Sequence, residues 1–388
     1  MGLRVQWGMI VGLQRCNTYR VEDLLPVLRR AVADAGGFDM TGKRVLLKPN
    51  ILRDAPPERA ITTHPEFLRA VIRLTREVGA TQVLVGDSPG VHRSSFDGRT
   101  SGLREIVETE GAEWVDFTAG EAYRHVPDPY EEPQFALTDV VDRVDAIVSV
   151  AKLKTHELML YTGAMKNLYG LLPGFSKARL HVRHPGREEF GRMLVDLVRA
   201  VRPAYAFMDG VVAMEGPGPG NGYARAVGVV AASPSTLALD VVMSRLIGYD
   251  PERIATNRFG WGRLDGIASP ADVEVRGVTE SDLTPRDFQL IGEGRRGLGI
   301  PGLRVPGFLK QFGLIQRIET RLRPHPVFDH DACIRCGECV QICASKALRF
   351  VPDESEAGRH VAIDTRACIR CYCCHEVCPV NAIAIPGR

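Results

Sequence analysis

The sequence predicts an α/β protein: a large domain with a mostly parallel sheet covered by helices, joined to a small α+β module at the C-terminus. Three observations carry that expectation. Short apolar runs alternate with amphipathic stretches through the first 290 residues, the pattern of strands and their covering helices. Nine of the ten cysteines lie between Cys333 and Cys378, with only Cys16 elsewhere, so the end of the chain is chemically distinct. A length of 388 residues corresponds to two or three domains at about 100–200 residues each.

The elements follow in order. Residues 43–49 (KRVLLKP) read as a strand. Thr63-His64-Pro65-Glu66 reads as a capping box with proline in the first turn, opening a helix with Phe67, Leu68, Val71, Ile72 and Val78 on one face and Gly79 as its stop. Residues 82–86 return to strand. The alternation continues through VDAIVSV (144–150), a helix near 187–201, AYAFMDG (204–210), AVGVVAA (226–232) and a helix opened by Ser233-Pro234. In such sheets, polar residues just past strand ends gather at a ligand crevice. Residues 291–325 differ in character, Gly/Pro-rich and then amphipathic, with seven Lys/Arg against two Glu. Phe308, Leu309, Phe312, Ile315, Ile318 and Leu322 recur there at helical spacing. A linker helix packed on its own protein is the plain reading; a basic docking element, with Arg317, Arg321 and Arg323, is the other.

From 326 to 388 the chain repeats itself. Cys333, Cys336, Cys339 and Cys343 recur 35 residues later as Cys368, Cys371, Cys374 and Cys378; Asp329 maps to Asp364, and ACIRC occurs twice. Two equivalent half-modules are implied. C-x2-C-x2-C-x3-C is the bacterial ferredoxin spacing, and soft thiolates suit iron–sulfur clusters, whereas a zinc site more often shows C-x2-C pairs without a crowded third cysteine. This region resembles the two-cluster ferredoxin domain. The resemblance implies two [4Fe–4S] clusters with crossed ligands: Cys333, Cys336, Cys339 and Cys378 for the first, and Cys368, Cys371, Cys374 and Cys343 for the second. Ala344 stands where proline is usual, and Cys373 is surplus, a spare thiol, an alternative ligand or an oxidation sensor. Cys16 reads as a small buried residue.

In the large domain, polar groups concentrate at three places: Lys48-Pro49-Asn50 with Thr62-Thr63-His64 and Asp87; Lys152-Leu153-Lys154-Thr155-His156 with Lys166-Asn167, Lys177 and His181; and Asp209-Gly210 with Glu215 and a Gly-Pro-Gly-Pro-Gly loop (216–220). The strings VLLKPNIL, AKLKTHELMLYTGAMKNLYG and DGVVAMEGPGPGNG resemble the hallmark blocks of the DUF362 family over about 40–245. That resemblance implies the α/β domain and a frequent fusion to a ferredoxin module, and little about substrate. The residues themselves suggest a crevice for a carboxylate, phosphate or developing oxyanion. Lys152, His156, Lys166, Asn167 and Asp87 are the candidate catalytic set, and Lys48, Asn50, Lys154, Thr155 and Glu215 the candidate substrate-binding set. A glycine-rich loop would let backbone approach a ligand closely. Plainer readings stand beside these: a solvated lysine pair, a satisfied turn histidine at 156, Lys166-Asn167 as a helix cap and Asp209-Gly210 as a turn.

Composition and missing motifs narrow the function. With 49 basic against 47 acidic residues the formal charge is +2, which argues against a nucleic-acid partner held by bulk charge. The N-terminus lacks the pattern of a signal peptide and no run approaches the ~18 apolar residues of a membrane span, so a cytoplasmic protein without a transmembrane segment is expected. No P-loop, Rossmann fingerprint or G-x-S-x-G elbow appears, and whether a flavin binds is left open. The leading expectation is an iron–sulfur oxidoreductase, a ferredoxin-fused reductase passing electrons to an anionic or carbonyl-bearing small molecule. Tethering the carrier to its acceptor raises the effective concentration to the ~mM range. Its rivals are an electron-transfer or accessory subunit docking on a redox protein, and a non-redox protein whose clusters are structural or sensing.

Overall fold

The computed structural model describes residues 10–88, 98–292, 323–352 and 358–386. The predicted helix of 308–322, with Arg317 and Arg321, lies outside them.

The chain begins with β1 (Ile10–Arg15), α1 (Val21–Asp34), β2 (Arg44–Pro49), α2 (Pro65–Glu77), β3 (Gln82–Val85), α3 (Leu103–Thr109) and β4 (Glu113–Trp114). A hairpin, β5 (Glu121–His125) with β6 (Gln134–Thr138), precedes the long β7 (Ala146–His156) and the short β8 (Leu160–Thr162). Three helices follow, α4 (Ala164–Asn167), α5 (Phe175–Arg183) and α6 (Arg187–Val201), then β9 (Tyr205–Glu215), β10 (Tyr223–Ser233), α7 (Thr236–Leu246), α8 (Ala255–Gly260), β11 (Glu274–Gly277) and α9 (Glu280–Leu283). The main sheet runs β11-β1-β10-β9-β7-β2-β3-β4, with β8 pairing β7. Strands β9, β7, β2, β3 and β4 are mutually parallel, while β10 is antiparallel to both its neighbours.

Strand side chains alternate between two apolar layers, as a period of two requires. Val45, Leu47, Val148, Val150 and Phe207 meet α1 and α2 through Leu24, Leu28, Phe67 and Val71. Leu46, Ala151, Leu153, Ala206 and Met208 meet Phe190, Leu194, Leu237 and Val241 of α6 and α7 on the other side. The result is the expected sheet covered on both faces. Two helix starts differ from the sequence reading. The N-cap of α2 is His64, whose side chain accepts from Glu66 N–H. Thr63 is spent elsewhere: its hydroxyl accepts from Asn50 N–H and donates to Val150 O, joining the ends of β2 and β7. Likewise α7 is capped by Ser235, with Ser233 two residues too early and bonded to Ile10 O.

The C-terminal module is α+β. It holds β12 (Val327–Phe328) paired with β15 (Ile383–Ala384), β13 (Leu348–Pro352) paired with β14 (Arg359–Ile363), and two one-turn helices, α10 (Glu338–Ile342) and α11 (Cys373–Val377). The 35-residue repeat is visible in the backbone. Asp329 accepts from the N–H groups of Asp331 and Ala332, as Asp364 does from Arg366 and Ala367. Left-handed residues recur in register, Arg335 with Arg370 and Lys346 with Asn381.

Candidate functional site

The parallel strands β2, β3 and β7 end on one edge of the sheet, and their last residues supply the polar groups found there. Lys48, at the end of β2, is 1 % exposed and pairs with Asp87 at 2.8 Å. Asp87 also accepts from the N–H groups of Ile51 and Ser88, so its carboxylate is held on three sides. Asn167 donates to Lys48 O and Ser149 Oγ and accepts from Lys48 Nζ and Asn50. Lys48, Asp87, Asn50 and Asn167 therefore form one network, in which Asn50 Oδ1 is left without a hydrogen-bond partner. Gly170 lies against it, where a Cβ would come within 2.0 Å of Asp87 Oδ1.

Lys152 belongs to a second network. β7 is longer than the apolar run suggested and carries Lys152 through His156 inside the strand. Asp209 is likewise within β9, not in a turn. Lys152 pairs with Asp209 at 2.8 Å with both side chains essentially buried, and Tyr19 OH bridges them, donating to Asp209 and accepting from Lys152. Asp209 also accepts from His64 N–H, and the His64 ring stacks on Tyr19. Burial pulls the Lys48 and Lys152 ammonium groups below the usual lysine range despite their carboxylate partners.

Between the networks sit Lys154, His156 and Lys166. Lys154 Nζ, 1 % exposed, donates to Ile61 O at 2.8 Å. Its pKa lies well below the usual value, from burial first and then from the like charges of Lys166 and Lys152. Lys166 is lowered by burial and makes no hydrogen bond or ion pair among the described residues; Glu376, Cys373 and Asp87 are the opposite charges that act on it. Its turn, α4, is fixed by a residue the sequence reading missed. Asp240 accepts from Ala164 N–H, Met165 N–H and Tyr161 OH, and burial raises its carboxyl to about 7. His156 Nδ1 accepts from Leu158 and Met159 N–H, which places the proton of the neutral ring on Nε2. Burial, followed by the charge of Lys166, keeps that ring from protonating.

His156 Nε2 faces Glu376 Oε1 at 3.4 Å, and neither atom has a hydrogen-bond partner. Glu376 comes from α11 of the cysteine-rich module, so the crevice is roofed by the other half of the molecule. Burial raises its carboxyl, against the pull of Lys166. The Gly-Pro-Gly-Pro-Gly loop is the seat of that roof. His375 Nε2 meets Pro217 O, Asn221 Nδ2 donates to His375 O, and Arg53 donates to both Cys378 O and Gly220 O. A Cβ on Gly220 would lie 2.3 Å from Glu376 O. The close approach that Gly220 allows is thus to α11, while Gly218 lies as closely against Thr155 O of β7. Thr155 hydroxyl donates to Gly216 O beneath the loop, and Glu215 accepts from Gln289 N–H, with no contact to the lysines among the described residues. Lys177, lowered to about 7 by burial, donates to Ser88 O, and His181 stacks on Phe190.

The cysteines group as two sets. Cys333, Cys336, Cys339 and Cys378 line a single cavity with Phe328 and Ile383. Burial raises the Cys339 thiol to about 12, reinforced by its neighbours Cys336, Cys333 and Cys378. Cys374 is raised by burial and then by Cys371, Cys368, Cys339 and Cys343. Cys343 also acts on Cys368. The fourth cysteine of each motif therefore lies beside the other motif's triplet, as crossed ligation of two cubanes requires. Each of Cys343 and Cys378 also accepts a backbone N–H, from Ala347 and Ala382. None of the ten cysteines is in a disulfide. Among the described residues no three His, Cys, Asp or Glu side chains converge as a single ion's ligands would. Cys373 lies at the crevice, hydrogen-bonded to Cys371.

Among the described residues no helix is long and apolar enough to cross a membrane. Comparison with known proteins places this geometry. A Thylakoid-associated protein sll1697 from Synechocystis sp. (strain ATCC 27184 / PCC 6803 / Kazusa) is 35% identical over 251 residues, 63% of this chain and 77% of that one. Among solved structures, the lactate racemase apoprotein from Thermoanaerobacterium thermosaccharolyticum aligns with a TM-score of 0.38 at 14% identity, covering 61% of this chain and 57% of that one. A Thermotoga maritima protein aligns at 0.33 and 14%, covering 52% of each. The chain spans little more than half the length of these two structures. The model of the 4Fe-4S dicluster domain matches residues 332–382, which makes this an iron–sulfur protein, and that of the Domain of unknown function (DUF362) matches residues 45–245. With over half its length in that match, the chain belongs to the DUF362 family.

Proposed function

We propose that the protein is a ferredoxin-fused reductase whose electrons are consumed at the roofed edge of the sheet. The observation that carries this reading is the buried pair His156 Nε2 and Glu376 Oε1, two polar atoms with unspent hydrogen-bonding capacity beside two cations that lack carboxylate partners, Lys154 and Lys166. Structural networks satisfy their buried polar atoms; a ligand site leaves some for the ligand. Two [4Fe–4S] clusters, held by the cysteine sets above, would supply single electrons. Lys154 and Lys166 would bind the carboxylate or nascent oxyanion of an anionic carbonyl compound. Neutral His156 would donate a hydrogen bond from Nε2, and Lys166, made more acidic by burial, would supply the proton. Lys152 and Asn167, spent on Asp209 and on Lys48 with Ser149, would hold the walls in place.

One observation favours a second reading. Lys154 and His156 are 1 % and 0 % exposed, so a substrate enters only if α11 lifts. An electron-transfer subunit serving a protein partner has no such requirement. Anaerobic purification with iron and sulfide assay, EPR after dithionite, and a screen of anionic carbonyl compounds for reoxidation of the clusters separates the two. The reductase predicts about eight irons per chain, reoxidation by a small molecule, and its loss in Lys166→Met with the EPR signals unchanged. Reoxidation by a protein alone would overturn it. A cytoplasmic placement belongs to the same proposal, supported by ten free thiols. The Synechocystis relative is thylakoid-associated by name, so recovery of this chain with membranes on fractionation would refute that placement.

A further inference from the structure

A cavity of about 1020 Å³ lies away from the roofed crevice. One wall is Arg366–Arg370 of the cysteine-rich module, including Cys368 of the second ligand set; the other is α5 with the 131–136 segment. Its acidic members are mostly spent. Glu132 takes Arg183 and His184, and Glu131 takes Arg192. Of the basic members, Arg183 and His184 are spent on Glu132, and two arginines are not spent. Arg179 and Arg366 make no ion pair among the described residues, and Arg370 is bonded only to carbonyl oxygens and His325. Two unspent arginines, Arg179 and Arg366, thus share the cavity with one unpaired carboxylate, Glu189. The remaining lining is mixed, with Gln134 and Ser176 beside an apolar part that includes Phe135, Leu172, Leu180 and Ile369.

We infer that this cavity binds a phosphate-bearing planar redox cofactor of the flavin mononucleotide class. Its volume is at the upper end of small-ligand pockets, the apolar part of its lining suits a fused ring, and unpaired guanidinium groups suit a phosphate, which they bind bidentately. The place matters as much as the lining: a ligand here touches the backbone that carries Cys368. A reduced flavin becoming oxidised would release two electrons and two protons, and two clusters would take one electron each while the protons left through the open mouth. The inference is independent of what the roofed crevice does, because it concerns binding at another surface.

The test is a titration of the anaerobically purified full chain with flavin mononucleotide, followed by quenching of flavin fluorescence, with riboflavin as the phosphate-free control. Saturation at one flavin per chain is expected, at least about tenfold tighter than riboflavin, a factor one lost charge-assisted hydrogen bond accounts for. Arg179→Glu/Arg366→Glu should weaken flavin mononucleotide by about tenfold or more and leave riboflavin, iron content and cluster EPR unchanged. Absence of saturable binding, or equal binding of the two flavins, would overturn the assignment. So would binding that the double variant leaves intact.

Discussion

Gly220→Ala isolates the contact between the two halves of the molecule. Gly220 does not adopt a positive φ, so alanine brings no backbone strain, and the whole perturbation is one methyl group aimed at Glu376 O. The added Cβ would sit 2.3 Å from that oxygen, where ordinary contact begins at 3.4 Å, so α11 must withdraw by roughly 1 Å. The obstacle is backbone on both sides and cannot rotate away. Forcing one methyl group into such packing costs about 1–3 kcal/mol. A withdrawal of that size also exceeds what His375 can absorb while keeping Pro217 O at 3.2 Å and Asn221 Nδ2 at 2.6 Å from its own carbonyl. Hydrogen exchange of the loaded protein should therefore rise at 372–378 and at 216–221, with little change in the strands of the large domain and no loss of iron. If exchange at 372–378 were unchanged, or if iron were lost, the glycine-rich loop would not be a seat for the module and the roofed crevice would have to be reconsidered.

Other perturbations follow from the same geometry. Asp209→Asn leaves the buried Lys152 ammonium without its counter-charge and should cost about 3–5 kcal/mol in chemical unfolding of the large domain; Lys152→Met/Asp209→Leu should recover most of it, and an equal loss in both would refute the pair argument. For Asp240 the folded carboxyl, at about 7, holds a proton that the unfolded chain releases near 3.8. The folded state thus binds more protons between those values, and its stability falls as pH rises from about 4 to 7. Asp240→Asn should flatten that slope, measured as the difference between the two proteins' unfolding free energies at pH 5 and pH 8. Arg53 donates to Cys378 O, so on the proposed ligand sets its positive charge would favour the reduced form of the first cluster. Arg53→Gln should lower that cluster's midpoint in an EPR-monitored redox titration by tens of mV, at roughly 40 mV per kcal/mol for one electron; an unchanged midpoint would show the guanidinium to be structural only.

The fold was legible because its signals are local. Period-two alternation in RVLLKP and AVGVVAA places one set of side chains on each apolar layer, and the resemblance to the two-cluster ferredoxin domain, not spacing alone, set Cys343 with the distant triplet. The misread starts of α2 and α7 are also local, yet undetermined by sequence: Thr63 and Ser233 are sound caps, and each is taken by a strand brought close only in the fold. The site was legible as residue types but not as partnerships. Nothing in KLKTH says that Lys152 answers Asp209, 57 residues on, while Lys154 answers no carboxylate. Asp240, buried in an apolar helix, gave no sign that it holds the turn of Lys166.

The roof itself has a sequence signal, and the 35-residue repeat supplies it. Helix α10 begins Glu338, and α11, its equivalent, begins Cys373; Val340 corresponds to His375 and Gln341 to Glu376. The ligand cysteines keep their identity between the halves while other positions vary, Gly337 to Tyr372 and Ala344 to Pro379 among them, so these exchanges are not demanded by cluster binding. They fall on the helix that is buried against the large domain, whereas the equivalent face of α10 is half-exposed or exposed. His375 makes the contact to Pro217, Glu376 faces His156, and Cys373 acts on Lys166. The surplus thiol is therefore one of three exchanges on a single face, and what they share is the crevice beneath them. Two of the three positions, Cys373 and Glu376, meet the lysine-lined edge and the third, His375, meets its loop, so the exchanges fit this helix to the large domain on which it sits.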